Sequence, residues 1–283
     1  MAASSPPLKG ASLDRLHIWH LQDDSVASQL RFIWRMRRVW WFTATARTTA
    51  RFVRTKLGSF WLGLTNLLTI SALAAVYGTV FRVDNFGDYA VYLGVGLVLW
   101  NSLAGAIGSA PTLFEKHREN INNINLPPLF YVLEEWAFQL QTLAQSFSLV
   151  LLGLSFLRPQ LLLYLLTAGL PGLINFVLFL LWVPLLVCLL GARFKDLYQL
   201  VPIFLQLVFL LSPILYRKES LAGFQWLTKF NPIYQSFAPL RDSIIYGTSS
   251  WTWALLYFVF NVIGLYLCLL LLRREAKVLP FLF

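Results

Sequence analysis

The sequence predicts an all-α polytopic membrane protein with six transmembrane helices. Six stretches lack Asp, Glu, Lys, Arg and His over lengths that cross a bilayer: Leu57–Phe81, Tyr89–Phe114, Trp136–Leu157, Gln160–Leu190, Leu197–Tyr216 and Trp251–Leu272. The chain is 58% apolar and 13% charged, about half the charge of a soluble domain. Its mean hydropathy is +0.63. A hydrocarbon core about 30 Å thick takes about 20 apolar residues in a helix. Lipid offers backbone N–H and C=O groups no partner, so each stretch is expected to be helical.

Residues 1–29 read as a polar cytoplasmic tail with no apolar stretch before a small-residue cleavage site, so a cleaved signal peptide is not expected. His17 and His20 stand three apart there, with no cluster of Cys, Asp or Glu to complete a metal site. Residues 30–56 mix Phe32, Ile33, Val39, Trp40, Trp41 and Phe42 with Arg31, Arg35, Arg37, Arg38, Arg47, Arg51, Arg54 and Lys56. A basic, Trp-rich segment too short to span lies in the interface, with arginines at the phosphates and indoles at headgroup level. It is expected to be an N-terminal amphipathic interface helix leading into a six-helix domain over residues 57–283.

The net charge is +10, and Met1–Lys56 holds ten Lys/Arg against three acids. With both termini cytoplasmic, the inside segments carry seventeen Lys/Arg and the outside segments six. The positive-inside bias favours that orientation, and the basic excess addresses anionic lipid headgroups. No soluble stretch is large enough for a nucleic-acid-binding face. Cys188 and Cys268 lie inside apolar spans and form no disulfide framework.

Between spans two and three, Phe114, His117, Ile121 and Ile124 recur at helical spacing, with Glu115, Lys116, Glu119, Asn122 and Asn123 on other faces, until Leu126-Pro127-Pro128 stops the pattern. This predicts a short amphipathic cytoplasmic helix. A helix lying on the membrane is the alternative; near-balanced charge on its polar faces favours docking to a soluble partner. Span four carries Pro171, Gly172 and Pro184, which trim or kink it. Arg217–Ser250 is too polar to span and too apolar to be a free loop. Leu221, Phe224, Trp226, Leu227 and Phe230 precede Asn231-Pro232, and Ile233, Phe237, Leu240 and Ile244 follow before Gly247. Two short helices re-entering from the outer face are expected, permissible only when packed against protein.

The chemistry that is missing narrows the function. The six spans hold no ionisable group, as ion-driven carriers need. No Gly-rich phosphate loop ends in Lys-Ser or Lys-Thr. Glu134 and Glu135 are adjacent, so they project about 100° apart on a helix and form no catalytic pair. No catalytic residue and no resident cofactor or metal is expected.

Four stretches in order resemble the type-2 ABC transporter permeases that export polysaccharides. Arg51-Phe52-Val53-Arg54-Thr55-Lys56-Leu57-Gly58-Ser59-Phe60-Trp61 is similar to their basic-to-Leu-Gly-x-x-Trp start. Asn125-Leu126-Pro127 is similar to their Phe/Leu-Pro step. Ala192-Arg193-Phe194-Lys195-Asp196 leads into Leu205–Tyr216, the most specific match, and Asn231-Pro232 with Arg241 and Gly247 resembles their outer gate. The resemblance is to exporters of O-antigen, capsule and teichoic acid in the bacterial plasma (inner) membrane. It implies a homodimer bound to two ATP-binding cassette subunits that carry ATP and Mg. It implies coupling to the ATPase through Phe114, Glu115, His117, Glu119, Ile121 and Ile124, and an outer gate of Phe230, Asn231, Pro232, Phe237 and Arg241.

Arg51, Arg54 and Lys56 lie where a lipid-linked polysaccharide would present its pyrophosphate, which a guanidinium fork suits; plain positive-inside anchoring is the alternative. A sliding glycan stacks on aromatic faces, and the candidate channel lining is Trp61, Tyr77, Phe81, Tyr92, Trp100, Phe209 and Tyr216. Asn66, Asn101, Gln206 and Ser212 either line the path or bond across helices. Two other readings stand beside export of lipid-linked glycan. One is a permease for drugs or small lipids, which the Leu-Gly-x-x-Trp start and basic interface segment disfavour. The other is a membrane enzyme acting on lipid-linked sugars, against which the missing catalytic groups argue.

Overall fold

The computed structural model of the chain describes residues 26–123, 126–216 and 226–275, and among these every regular element is a helix. Two helices precede the bundle: α1 (Val26–Arg35) and α2 (Arg37–Ala50). The single interface helix expected over residues 30–56 is therefore two helices broken at Met36 and a turn at Arg51–Ser59. Gly58, at φ +55°, supplies the left-handed residue that turns the chain into the bundle.

Five helical runs are long and apolar enough to cross a membrane. They are α3 (Phe60–Val80); α4 (Phe86–Ser109), continued through a 3-10 turn into α5 (Leu113–Lys116); α7 (Pro128–Ser155); α8 (Leu161–Tyr164) continued through a π-turn into α9 (Leu170–Arg193); and α13 (Trp251–Glu275). Between α5 and α7 lies α6 (Arg118–Asn123). The remaining charge-free stretch, Leu197–Tyr216, holds α10 (Leu197–Leu211), whose 15 residues give about 22 Å of helix. Pro213 disfavours helical backbone at the residue before it, and Ser212 is extended at ψ 134°. Last come α11 (Trp226–Phe230) and α12 (Pro232–Tyr246). Leu221 and Phe224 of the first re-entrant helix lie outside the described residues.

Close approaches fix how the helices run. Gly63 meets Leu149 and Gly153 meets Leu67, so α3 and α7 are parallel. Asn175 Nδ2 donates to Ala254 O (2.9 Å), Trp182 Nε1 to Asn261 Oδ1 (2.9 Å) and Arg193 Nη1 to Glu275 (3.2 Å), so α9 and α13 are parallel. Trp100 packs on Phe209 and Gly108 faces Leu205, so α10 is antiparallel to α4. Gly191 meets Pro111, so α9 ends beside the turn that follows α4. The starts of α7 and α10 and the last turns of α9 and α13 thus lie toward one end of the bundle, called here the basic end; α3 runs from the same side but starts level with the later half of α7.

Helix α4 is the hub. Every residue from Tyr89 to Trp100 is buried. Gly94 lets Leu154 and Ile70 close in on it. In lipid no hydrophobic force joins helices, so small residues that admit close packing and polar side chains that bond across helices hold them together. The Asn175–Asn261 pair is such a bond, since Asn261 Nδ2 donates to Asn175 O at 3.2 Å.

The closest backbone approach at the opposite end joins α9 to α12. A Cβ at Gly172 would stand 2.9 Å from Leu240 Cα. Gly172→Ala therefore must push α12 off α9. The expected outcome is a loss of about 1–3 kcal/mol, read as a lower melting temperature of the detergent-solubilised protein. An unchanged melting temperature would show that the two helices separate freely.

Candidate functional site

At the basic end α2 lies along α7 and is held there by charge. Arg47 forms an ion pair with Glu135, stands 3.8 Å from Glu134, and covers the Phe138 ring at 3.9 Å. Glu135 also accepts from Gln139 Nε2 (2.8 Å) and Ser109 Oγ (3.2 Å), which brings in α4. A cavity of about 10 Å³ borders Glu135, Gln139 and Pro184, near the lower limit for one water. Thr48 Oγ1 donates to Gln141 Oε1 at 3.1 Å, and Trp40 packs against Trp136 at 6.3 Å. The adjacent carboxylates Glu134 and Glu135 thus share one arginine. Sequence reasoning missed this role of Arg47, whose signal was the small, buried Ala44 and Thr48 on the same helix.

The residues expected to couple to an ATPase divide between two faces. Phe114 is buried, His117 stacks on Tyr131 at 4.8 Å, and Ile121 packs on the core formed by α5, α7, α9 and α13. Glu115 and Glu119 are exposed beside Lys116 and Arg118. The inward residues position α5 and α6, and the charged residues present a surface. Ile124 lies outside the described residues. Burial pushes the His117 imidazole below its ordinary 6.5, and the Arg47 charge adds to the effect while Glu135 opposes it.

Arg51, Arg54 and Lys56 are exposed on the turn between α2 and α3. They form no ion pair among the described residues. Arg51 leans over Phe52 at 5.7 Å.

The seven aromatic residues expected along a channel also divide. Trp61 and Phe81 are exposed, and Tyr77 stacks on Phe81 at 5.7 Å. Phe209 is half-buried against Trp100 (5.5 Å), and Tyr216 donates to Leu210 O (3.1 Å). Tyr92 and Trp100 are each 5% exposed. The chain's own side chains cover those two rings.

They pack around the most buried charge of the bundle. Arg241 is 1% exposed. Its guanidinium donates to Pro213 O (2.8 Å), Tyr234 Oη (2.9 Å) and Asp242 Oδ1 (2.9 and 3.0 Å), and it covers the Tyr92 ring at 4.2 Å. Asn231 caps α12 by accepting from Tyr234 N at 3.0 Å, and its Nδ2 donates to Ser212 Oγ at 3.0 Å. Phe237 is fully buried against Trp100 and Tyr234, while Pro232 and Phe230 are exposed. Of the five expected gate residues, Asn231, Phe237 and Arg241 form one joint with the end of α10.

Comparison with known proteins matches residues 41–245 to the family described as ABC-2 type transporter. The chain is also 27% identical over 239 residues to the O-antigen export system permease protein RfbA of Klebsiella pneumoniae, covering 81% of this chain and 90% of that protein.

Two outcomes follow from this geometry. Replacing Arg241 by Met takes one donor each from the Pro213 carbonyl and the Tyr234 hydroxyl and removes the cation that pairs with Asp242 in a buried site, and stability should fall by about 2–4 kcal/mol in a denaturant titration. For His117, protonation favours the unfolded chain, whose imidazole titrates at the ordinary 6.5. Stability should therefore be constant above that value and fall as pH drops through it. His117→Phe, which keeps the stack on Tyr131, should flatten this part of the pH–stability profile.

Proposed function

The chain belongs to the ABC-2 type transporter family, and from that premise we propose that it is the membrane subunit of an ATP-driven exporter of lipid-linked polysaccharide. The observation that carries the reading is the similarity to an O-antigen export permease over nearly the whole length of both proteins. Two features of the chain support it. Three exposed cations, Arg51, Arg54 and Lys56, stand at the start of the first span with no carboxylate partner among the described residues. Exposed or half-exposed aromatic rings, Trp61, Tyr77 and Phe81, follow along the same helix.

In this reading the basic end is cytoplasmic, as are both termini, and Leu197–Tyr216 completes a sixth span of the inner membrane. Two copies form the permease and two ATP-binding subunits dock on it. The exposed Glu115, Lys116, Arg118 and Glu119 receive the partner's stroke, and Phe114, His117 and Ile121 pass it to α4 and α7. The guanidiniums at the mouth hold the pyrophosphate of the carrier lipid by charge-assisted, bidentate hydrogen bonds. The aromatic faces beyond give the glycan stacking without a fixed register, so it slides. The Asn231–Arg241 joint controls the far end.

The test is charge removal at the mouth. Arg54→Gln should lower glycan export by about tenfold, the worth of one charge-assisted hydrogen bond, while membrane insertion and assembly with the ATPase persist. Equal loss of protein level and of export would assign Arg54 to anchoring instead.

A further inference from the structure

From Gly87 to Ser109, helix α4 is buried or half-buried except at two positions. Between Gly87 and Ser109 the exposed residues are Asn101 and Gly105, four apart and so on one face. Asn101 Nδ2 donates to Asn66 Oδ1 of α3 at 2.9 Å in an exposed bond, and Asn66 spends its own Nδ2 on Leu62 O at 2.8 Å. Asn101 keeps a carbonyl oxygen and a second N–H without a partner among the described residues. Next to it, Gln139 gives its Nε2 to Glu135, and its Oε1 borders the bare face of Gly105, 3.7 Å from where a Cβ would stand. Asn66 lies about 9 Å along α3 from Phe60, inside the charge-free span.

An amide held open to acyl chains would lack hydrogen-bond partners at a depth that supplies none. Polar groups at such depth face a protein interior or a hydrated path. This window is uncharged, offers donors and acceptors about one helical turn apart, and has a glycine where a ring can lie flat. It suits neither a phosphate, which asks for cations, nor a lipid tail.

We infer that Asn66, Asn101, Gly105 and Gln139 form a hydroxyl-binding station for the sugar part of the substrate as it passes from the cationic mouth into the membrane. The inference rests on the proposed function and adds a division of labour to it. The mouth reads the phosphates, and the window reads the sugars.

The experiment uses the chain with its ATPase in proteoliposomes and two fluorescent probes. One is a polyprenyl diphosphate bearing an oligosaccharide, and the other is the same carrier without sugar. Asn101→Leu should slow transport of the glycosylated carrier by about three- to tenfold, the worth of one neutral hydrogen bond, and leave the bare carrier unchanged. Asn101→Gln should restore part of the rate. Equal slowing of both probes, or a fall in the dimer fraction on native gels, would assign the window to helix packing or copy-to-copy contact and overturn the station. No effect on either probe would also overturn it. A wild-type complex that moves neither probe overturns the proposed function and the station with it.

Discussion

The structure depends on how one short stretch of irregular backbone is kept satisfied. Helix α10 stops at Leu211, and Ser212, Pro213 and Ile214 are nevertheless buried. Non-helical backbone at this depth is tolerable only inside protein. The Pro213 carbonyl accepts from Tyr92 Oη (2.9 Å) and Arg241, the Leu215 carbonyl from Tyr89 Oη (2.6 Å), and Ser212 Oγ from Asn231. Three side chains from α4 and α12 thus supply donors to the irregular carbonyls, and Asn231 at the cap of α12 ties down the Ser212 side chain. Arg241 is suited to this because a guanidinium presents several donors in a fixed plane, and its charge is offset by Asp242 and by two aromatic faces.

The opposite end is organised by a second arginine, with a different result. Arg47 is about a third exposed, and its pairing with Glu135 ties α2 to the start of α7 and the end of α4. Next to it, His117 sits on Tyr131, so the α5–α6 segment and the α2–α7 contact both meet α7 near its start, while Phe114 and Ile121 also pack toward α9 and α13. The Arg241 joint, by contrast, is fully buried, with the guanidinium bonded to Pro213, Tyr234 and Asp242.

Much of this was legible in the sequence because bilayer thickness and backbone hydrogen bonding leave few choices. Charge-free lengths located α3, α4, α7, α9 and α13. Asn231-Pro232 and Gly247 marked α12, which begins with a side-chain cap and ends in the left-handed residue Gly247 at φ +70°. The shortness of α10 was not legible, because Ser212-Pro213-Ile214 is as apolar as a helix and only the proline hints at the break. Nor was the pairing of Arg47, which is one of eight basic residues between Leu30 and Lys56. Sequence separation hides such partners, and here the two residues stand 88 positions apart. Aromatic residues were legible as a class, but which rings face outward depends on tertiary packing, and Tyr92 and Trp100 went inward.

Under the proposed export of a glycan, that inward turn bears on how a long substrate is bound without being trapped. Tyr92 reaches the Pro213 carbonyl and lies under Arg241, and Trp100 is wedged between Phe209 and Phe237. The exposed rings Trp61 and Phe81 stand outside that joint, and Phe81 stacks on Tyr77 instead. Had both sets shared the same residues, a passing sugar would disturb the joint that keeps α10 and α12 in place. In the proposed reading, separating the frame from the path lets the path stay weak in its contacts while the frame stays rigid. Sliding contacts do not choose a substrate, so in that reading selection would fall on the cations of the α2–α3 turn and the carboxamides beyond them.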